Sequence, residues 1–415
     1  MILKLLLLVI SVVLLVEAKN EDYKGYRIYN VKFKTEEQQN GYNKLKSDII
    51  DFIRRPSFGN NIVGKAVVPP SHFDFFEEQL EELAIPIDVA VEDLYEHLET
   101  VEKSRPRTTN DDPDREFDFD RYHRYEQILN HLHALQEAHE NSTIRITVNE
   151  FDRTDEDRPI VYLTVSENSA TTDKPVVIIE GGINPREWIT VPAALNIVNS
   201  LTQNAASFLS RADWIIVPVL NPDGYEYTHT NLRLWTKNRS IKSNLGFICP
   251  GVNINRNFDV QWGVSDSSSS PCSHMYAGVE AFSEIETQLI KHLIEKYSGR
   301  IRLYLSLQNN GGFVSYPWQY ERAASGMFRQ HHLLGMDMVA AMNESYSLNV
   351  GWYALGDRAS GTGADYAQMN GVVYSLNIDA VQRGDDGVNI PENEIVGVIE
   401  DIWRAVEVAV NDVLN

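Results

Sequence analysis

Residues 176–188 read VVIIEGGINPREW: four β-branched apolar residues, a glutamate, two glycines, and then a tail carrying Asn184, Arg186 and Glu187. The apolar run is short and has the composition of a strand. Similar runs predict strands over 144–148, 160–165, 214–220, 301–307 and 372–378. Helical spacing separates them. Tyr122, Tyr125, Ile128, Leu129, Leu132 and Leu135 repeat on one helix face, Ser283 and Glu286 read as a capping box opening a helix that ends near Tyr297, and an amphipathic helix runs from about Glu392. The alternation predicts one large α/β domain, a single sheet covered by helices on both faces. In such a sheet ligands bind beyond the carboxyl ends of the strands. The residues there are polar: Asn184, Arg186 and Glu187 after the first run, Gln308-Asn309-Asn310-Gly311 after 301–307, and Asp379 after 372–378.

Upstream, the pattern changes. Strands expected over 26–33, 49–53, 62–68 and 85–91, with helices over 36–45 and 70–83, give the order βαββαβ of a small open-faced sandwich. Ser71 is the expected N-cap of the second helix. The acidic run 77–82 reads as a solvated helix face, with docking on basic residues of the large domain as the other reading. Lys4, the apolar run 5–16, and the small residues Val16 and Ala18 read as a secretory leader over 1–18. The expected organisation is a leader over 1–18, a small domain over 19–105, a Pro- and Asp-rich linker over 106–115, and the large domain over 116–415. Composition narrows the partners. The chain has 415 residues and a net charge of −22, so it lacks the basic surface that nucleic acid requires. No run after the leader is long and apolar enough for a membrane span. Two cysteines leave room for one bridge. Sequons stand at Asn141, Asn238 and Asn343.

The stretches GGINPREW, NPDGYEYTHTNLRLW, GVNINRNFD and AFSEIET, with Cys249 and Cys272 framing a loop, resemble signatures of the secreted zinc carboxypeptidases of the carboxypeptidase A and B type. The likeness covers nearly the whole chain. It implies a mixed eight-stranded sheet flanked by helices, preceded by a small α+β ferredoxin-like propeptide that caps the active site. It also implies a Cys249–Cys272 disulfide and an ancestral activity that removes C-terminal residues from peptides. The family holds zinc with a His-x-x-Glu pair and a distant His. At those positions this chain has Asn184, Glu187 and Gln308, so one ligand of three remains, and amide oxygens are weak donors to zinc.

The same comparison puts Asp379 where the family has its general-base Glu, one methylene short. Thr236 replaces the oxyanion-stabilising Arg, a loss that typically costs roughly 2.7–4 kcal/mol, and Asp357 aligns with the Tyr that closes over substrate. Asn255 and Arg256 match the pair that grips the terminal carboxylate, Arg186 and Arg233 match further cleft arginines, and the small Ala364 gives no reason to expect selection for Lys or Arg. The expectation is a secreted, monomeric pseudoenzyme that needs no cofactor and binds peptide C-termini or a protein partner. A structural ion-pair role for Arg256 is the competing reading of that residue. A working metallocarboxypeptidase with an altered metal site is the alternative function, for which Asn184, Glu187, Gln308 and Asp379 would offer an all-oxygen pocket to a hard cation. A secreted storage protein with a vestigial cleft is the third.

Overall fold

Alternation with a period of two organises the first domain. The computed structural model describes residues 19–45, 48–104, 117–169, 171, 173–203, 206–343 and 346–415; the expected leader and the linker over 106–115 lie outside them. Strands β1 (Arg27–Val31), β2 (Asp51–Arg54), β3 (Gly64–Val68) and β4 (Val89–Val91) form an antiparallel sheet in the order β2-β3-β1-β4. Tyr29, Val31, Ala66 and Val68 face the helices Glu36–Tyr42 and Phe73–Glu82, meeting Phe76 and Leu80. Their neighbours Ile28, Ile53, Val67 and Val91 join Leu94 and Leu98 of the helix Leu94–Ser104, and also Leu234 and Val388 of the large domain. The second face is therefore covered, and the sandwich is not open. Ser71 does not cap: residues Pro70–His72 form a 3-10 turn, and the Ser71 hydroxyl meets His72 Nδ1 at 2.9 Å.

The large sheet holds β5 (Ile144–Arg153), β6 (Pro159–Glu167), β7 (Val176–Glu180), β8 (Asp213–Val217), β9 (Ile301–Asn309), β10 (Phe313–Tyr316), β11 (Ser347–Val350) and β12 (Tyr374–Ala380), in the order β11-β10-β12-β9-β7-β8-β6-β5. The central strands β12, β9, β7 and β8 run parallel, while β5, β6 and β10 pair antiparallel toward the edges. Val177 and Ile179 point into the core under the helices Thr190–Gln203, Phe328–Ala341 and Glu392–Val413. Val176 and Ile178 point into the core under Ile285–Lys296 and Gly363–Met369. Both faces of β7 are thus buried, which is why its sequence is continuously apolar.

The expected capping box is absent. Helix Ile285–Lys296 has Glu284 at its N-cap; the Ser283 hydroxyl donates to the Glu284 carboxylate at 2.6 Å, and Glu286 accepts from Asn238 Nδ2 at 3.1 and 3.2 Å. Burial, with the neighbouring Glu284 charge, pushes Glu286 up to about 8. Asn238 is only 2% exposed in this cluster, so its sequon cannot carry a glycan in the folded chain, whereas Asn141 is exposed. Cys249 and Cys272 are disulfide-bonded, their Cα atoms 4.8 Å apart. Among the described residues no helix is long and apolar enough to cross a membrane.

Candidate functional site

The carboxyl ends of β7, β9 and β12 lie side by side. Glu180 of β7 is in register with Ser306 of β9, and Gln308 of β9 with Asp379 of β12. After β7 the chain turns through Gly182, whose φ of 65° lies in the left-handed region that glycine adopts without strain. This turn brings residues 184–187 over the strand ends. A cavity of about 570 Å³ opens there, and Asn184, Glu187, Gln308 and Asp379 all border it.

Within the cavity Glu187 is fully engaged. One carboxylate oxygen accepts from Asn184 Nδ2 at 2.6 Å and the other from the Asn309 backbone N–H at 2.8 Å. Burial pushes Glu187 up to about 7, against the pull of Arg186, these two donors and Arg54. The Gln308 amide donates to Ser306 Oγ at 2.7 Å. Asn184 Oδ1 is buried without a hydrogen-bond partner. Asp379 is pushed well above the carboxylate range by burial and by the charge of Glu187, with Arg54 opposing. Thr236 donates weakly to the His274 carbonyl at 3.4 Å, and Asp357, at the rim, pairs with Arg322 at 3.1 Å.

The four expected carboxylate-binding residues separate. Asn255 and Arg256 stand in a 3-10 turn (Ile254–Arg256) on the cavity wall. Arg256 Nη2 donates to Asp266 Oδ2 at 2.6 Å, its Nε to the Asp266 carbonyl at 2.7 Å, and its Nη1 to the Asn255 carbonyl at 2.7 Å. Arg186 pairs at 2.5 Å with Asp51 of the small domain, both side chains under 9% exposed. Arg233 does not border the cavity. It lies beneath, its guanidinium 3.8 Å over the Trp188 ring, donating to Asn389 Oδ1 at 2.8 Å and to the Arg186 carbonyl at 2.7 Å. Its place is structural support for the Arg186 loop.

The small domain lines part of this cavity, and sequence reasoning passed over its charged residues there, among them Asp51, Arg54 and Arg55. The acidic run over 77–82 is not the docking element; Glu77 accepts from Tyr29 and pairs with Arg27 inside the small domain. Asp266, which holds Arg256, was missed as well. The signals were present as one acid and two bases at the end of a predicted strand, but nothing local marks them as cleft residues.

A family model described as zinc carboxypeptidase matches residues 128–405, and one described as carboxypeptidase activation peptide matches residues 29–100. The chain belongs to the zinc carboxypeptidase family. It is 32% identical to a carboxypeptidase B of Helicoverpa zea, over 97% of each chain, and 27% identical to human carboxypeptidase A1, over 99% of each. The crystal structure of the carboxypeptidase A from Helicoverpa armigera superposes with a TM-score of 0.86 at 28% identity, covering 94% of this chain and 98% of that one. The small domain is thus the activation-peptide domain, referred to below as the pro-segment.

The donor set at the family's metal position does not fit zinc. It offers one carboxylate, each of whose oxygens already accepts one N–H hydrogen bond, two carboxamides, and no imidazole.

Proposed function

We propose that this chain is a secreted, non-catalytic member of the zinc carboxypeptidase family, whose cleft binds peptide or protein C-termini. One observation carries the loss of catalysis: both oxygens of Glu187 are taken by the Asn184 amide and the Asn309 N–H. A metal would have to share the single remaining family ligand with these two hydrogen bonds and would find only neutral amides beside it. Thr236 in place of an oxyanion-binding arginine and the short Asp379 in place of the base point the same way. The binding role rests on Asn255, Arg256 and Arg186, which border the cavity while the fold around them is intact. A C-terminal carboxylate would reach Arg256 by exchanging with Asp266, one carboxylate for another. The sequence features of a leader support secretion.

One atom favours the second reading, an altered metal site: the buried, unpartnered Asn184 Oδ1 is an oxygen donor available to calcium, magnesium or manganese. Metal analysis of the purified full chain decides between the two, before and after cutting at the linker arginines and with zinc, manganese or calcium supplied. Turnover of a blocked dipeptide is followed in parallel. The expected result is substoichiometric metal and no turnover. One metal ion per chain with chelator-sensitive release of C-terminal residues overturns the proposal.

A further inference from the structure

We infer that the cleft is a receptor for two consecutive guanidinium groups, with the pro-segment's own Arg54-Arg55 as its resident ligand. The inference rests on the metal-free reading of the cleft and names what occupies it.

Strand β2 ends at Arg54, and residues 50–55 form one wall of the cavity. The large domain holds this segment in place, because Asn310 Nδ2 donates to the Ile53 carbonyl at 3.2 Å. The Arg54 side chain is 6% exposed; its Nη2 donates to the Ala354 carbonyl at 3.0 Å, and its guanidinium lies 4.6 Å over the Phe313 ring. Phe313 is in register with Asp379, so this stacking sets the cation at the strand ends where Asp379 and Glu187 share the cavity. An arginine keeps its proton under all ordinary conditions, so a buried guanidinium needs acceptors or an aromatic face to offset its lost hydration. Here the guanidinium meets the Ala354 carbonyl and the Phe313 ring, in the cavity that Glu187 and Asp379 also border.

The second subsite is Asp266. One of its oxygens pairs with Arg55 and the other with Arg256 Nη2 at 2.6 Å. Burial would raise this carboxyl, but the two arginines outweigh it and hold Asp266 below the usual range. Asp266 adopts a φ of 45°, a left-handed conformation that aspartate tolerates better than most residues. The chemistry favours arginine over lysine at both positions, because the planar guanidinium stacks on Phe313 at the first and lies 4.9 Å over the Phe52 ring at the second while it pairs with Asp266. The ligand class is therefore a segment with two adjacent arginines, which the pro-segment provides in cis.

Chemical rescue in the full chain tests this. Arg54→Ala, Arg55→Ala and the double variant are melted in EDTA with increasing methylguanidinium, and with methylammonium and sodium chloride at equal ionic strength. Each single variant is expected to melt several degrees lower than the parent. Methylguanidinium should restore most of the loss saturably, as mass action on a folded-state site requires, and methylammonium should not. Asp266→Asn should abolish the rescue of Arg55→Ala but leave that of Arg54→Ala. Recovery no greater than with matched salt, or undiminished by Asp266→Asn, overturns the inference. If the alanine variants do not fold, Arg54→Lys and Arg55→Lys keep the charge and report through the same melts: parental stability in both would refute a guanidinium-specific site. The metal content of the parent is measured separately. Stoichiometric metal with turnover defeats the non-catalytic reading, whereas failed rescue in metal-free chain defeats this inference alone.

Discussion

Asn184 shows how one substitution changes the chemistry of a neighbour. An amide at this position donates to Glu187, which lies three residues on in the same turn, whereas a metal-bound imidazole would leave that carboxylate free to coordinate. The Asn184 oxygen meanwhile has no partner. Glu187→Gln is therefore expected to be tolerated. The Asn184 amide can rotate so that its oxygen accepts from the new amide, while the glutamine oxygen keeps the Asn309 N–H. Burial holds Glu187 at about 7 against an ordinary 4.5, so the folded state keeps a proton that the unfolded chain has released. Such a group costs stability as pH rises from about 4.5 to about 7, and the full cost remains above that. Glu187→Gln should raise stability near pH 8 by up to about 3 kcal/mol and do little at pH 5. Urea titrations at the two pH values check it; a loss at pH 8 would mean that the carboxylate is needed in its charged form. Asn184 and Gln308 were legible in the sequence as cleft residues because each stands at or just beyond the end of a predicted strand. Arg54 and Arg55 were not, because their partners lie far away in the chain, and Asp266 was not, because no motif marks it as the partner of Arg256 ten residues before it.

At the scale of elements, β2 explains why the pro-segment sits where it does. Its first residue, Asp51, is buried against Arg186, and its last, Arg54, enters the cavity. Removing one partner of a buried pair leaves the other charge uncompensated, at a cost of roughly 3–5 kcal/mol. Asp51→Ala is expected to lower the stability of the full chain by an amount in that range and to speed proteolysis within the pro-segment. Denaturant unfolding and limited proteolysis read both; an unchanged midpoint would show that the Asp51–Arg186 pair does not hold the docked domain. The period-two and helical patterns located ten of the twelve strands and the main helices, since each side chain's face follows from its position alone. The missed strands are β10 and β11, whose residues read FVSY and SLNV. The capping assignments at Ser71 and Ser283 failed for a different reason. Each hydroxyl found a stronger local partner, His72 or the Glu284 carboxylate, and cap propensity is worth only about 1 kcal/mol.

For the whole molecule, buried carboxyl groups set the pH response. Burial raises Glu180 and Glu286 to about 8, and Glu187 and Asp365 to about 7. Each contributes a fall in stability as pH climbs from its unfolded value to its folded one. Lys237, lowered to about 7 by burial, opposes them above pH 7, and His131 and His331, lowered to about 4, remove stability below about 6.5. Between about pH 5 and 6.5 the four acids outnumber the two histidines, so on balance stability falls as pH rises through that range and on toward 7. The urea midpoint at pH 6 should exceed that at pH 8, where the net charge of −22 also repels itself more strongly. A higher midpoint at pH 8 would contradict the burial of these acids in neutral form.

The sequence by itself determined the two-domain order, the strand-and-helix alternation, the strand ends at which the cleft opens, and the amide residues at positions 184 and 308 near those ends. These are local properties, readable from periodicity and from motifs of adjacent residues. Only the tertiary structure decided which charges meet: that Asp266 holds Arg256, that Asp51 holds Arg186, and that Arg54 and Arg55 enter the cleft. The physical reason is that a buried charge is fixed by its counter-charge. Asp51 and Arg186 are 135 residues apart, and Arg55 and Asp266 are 211 apart, so no window of sequence contains both members of either pair.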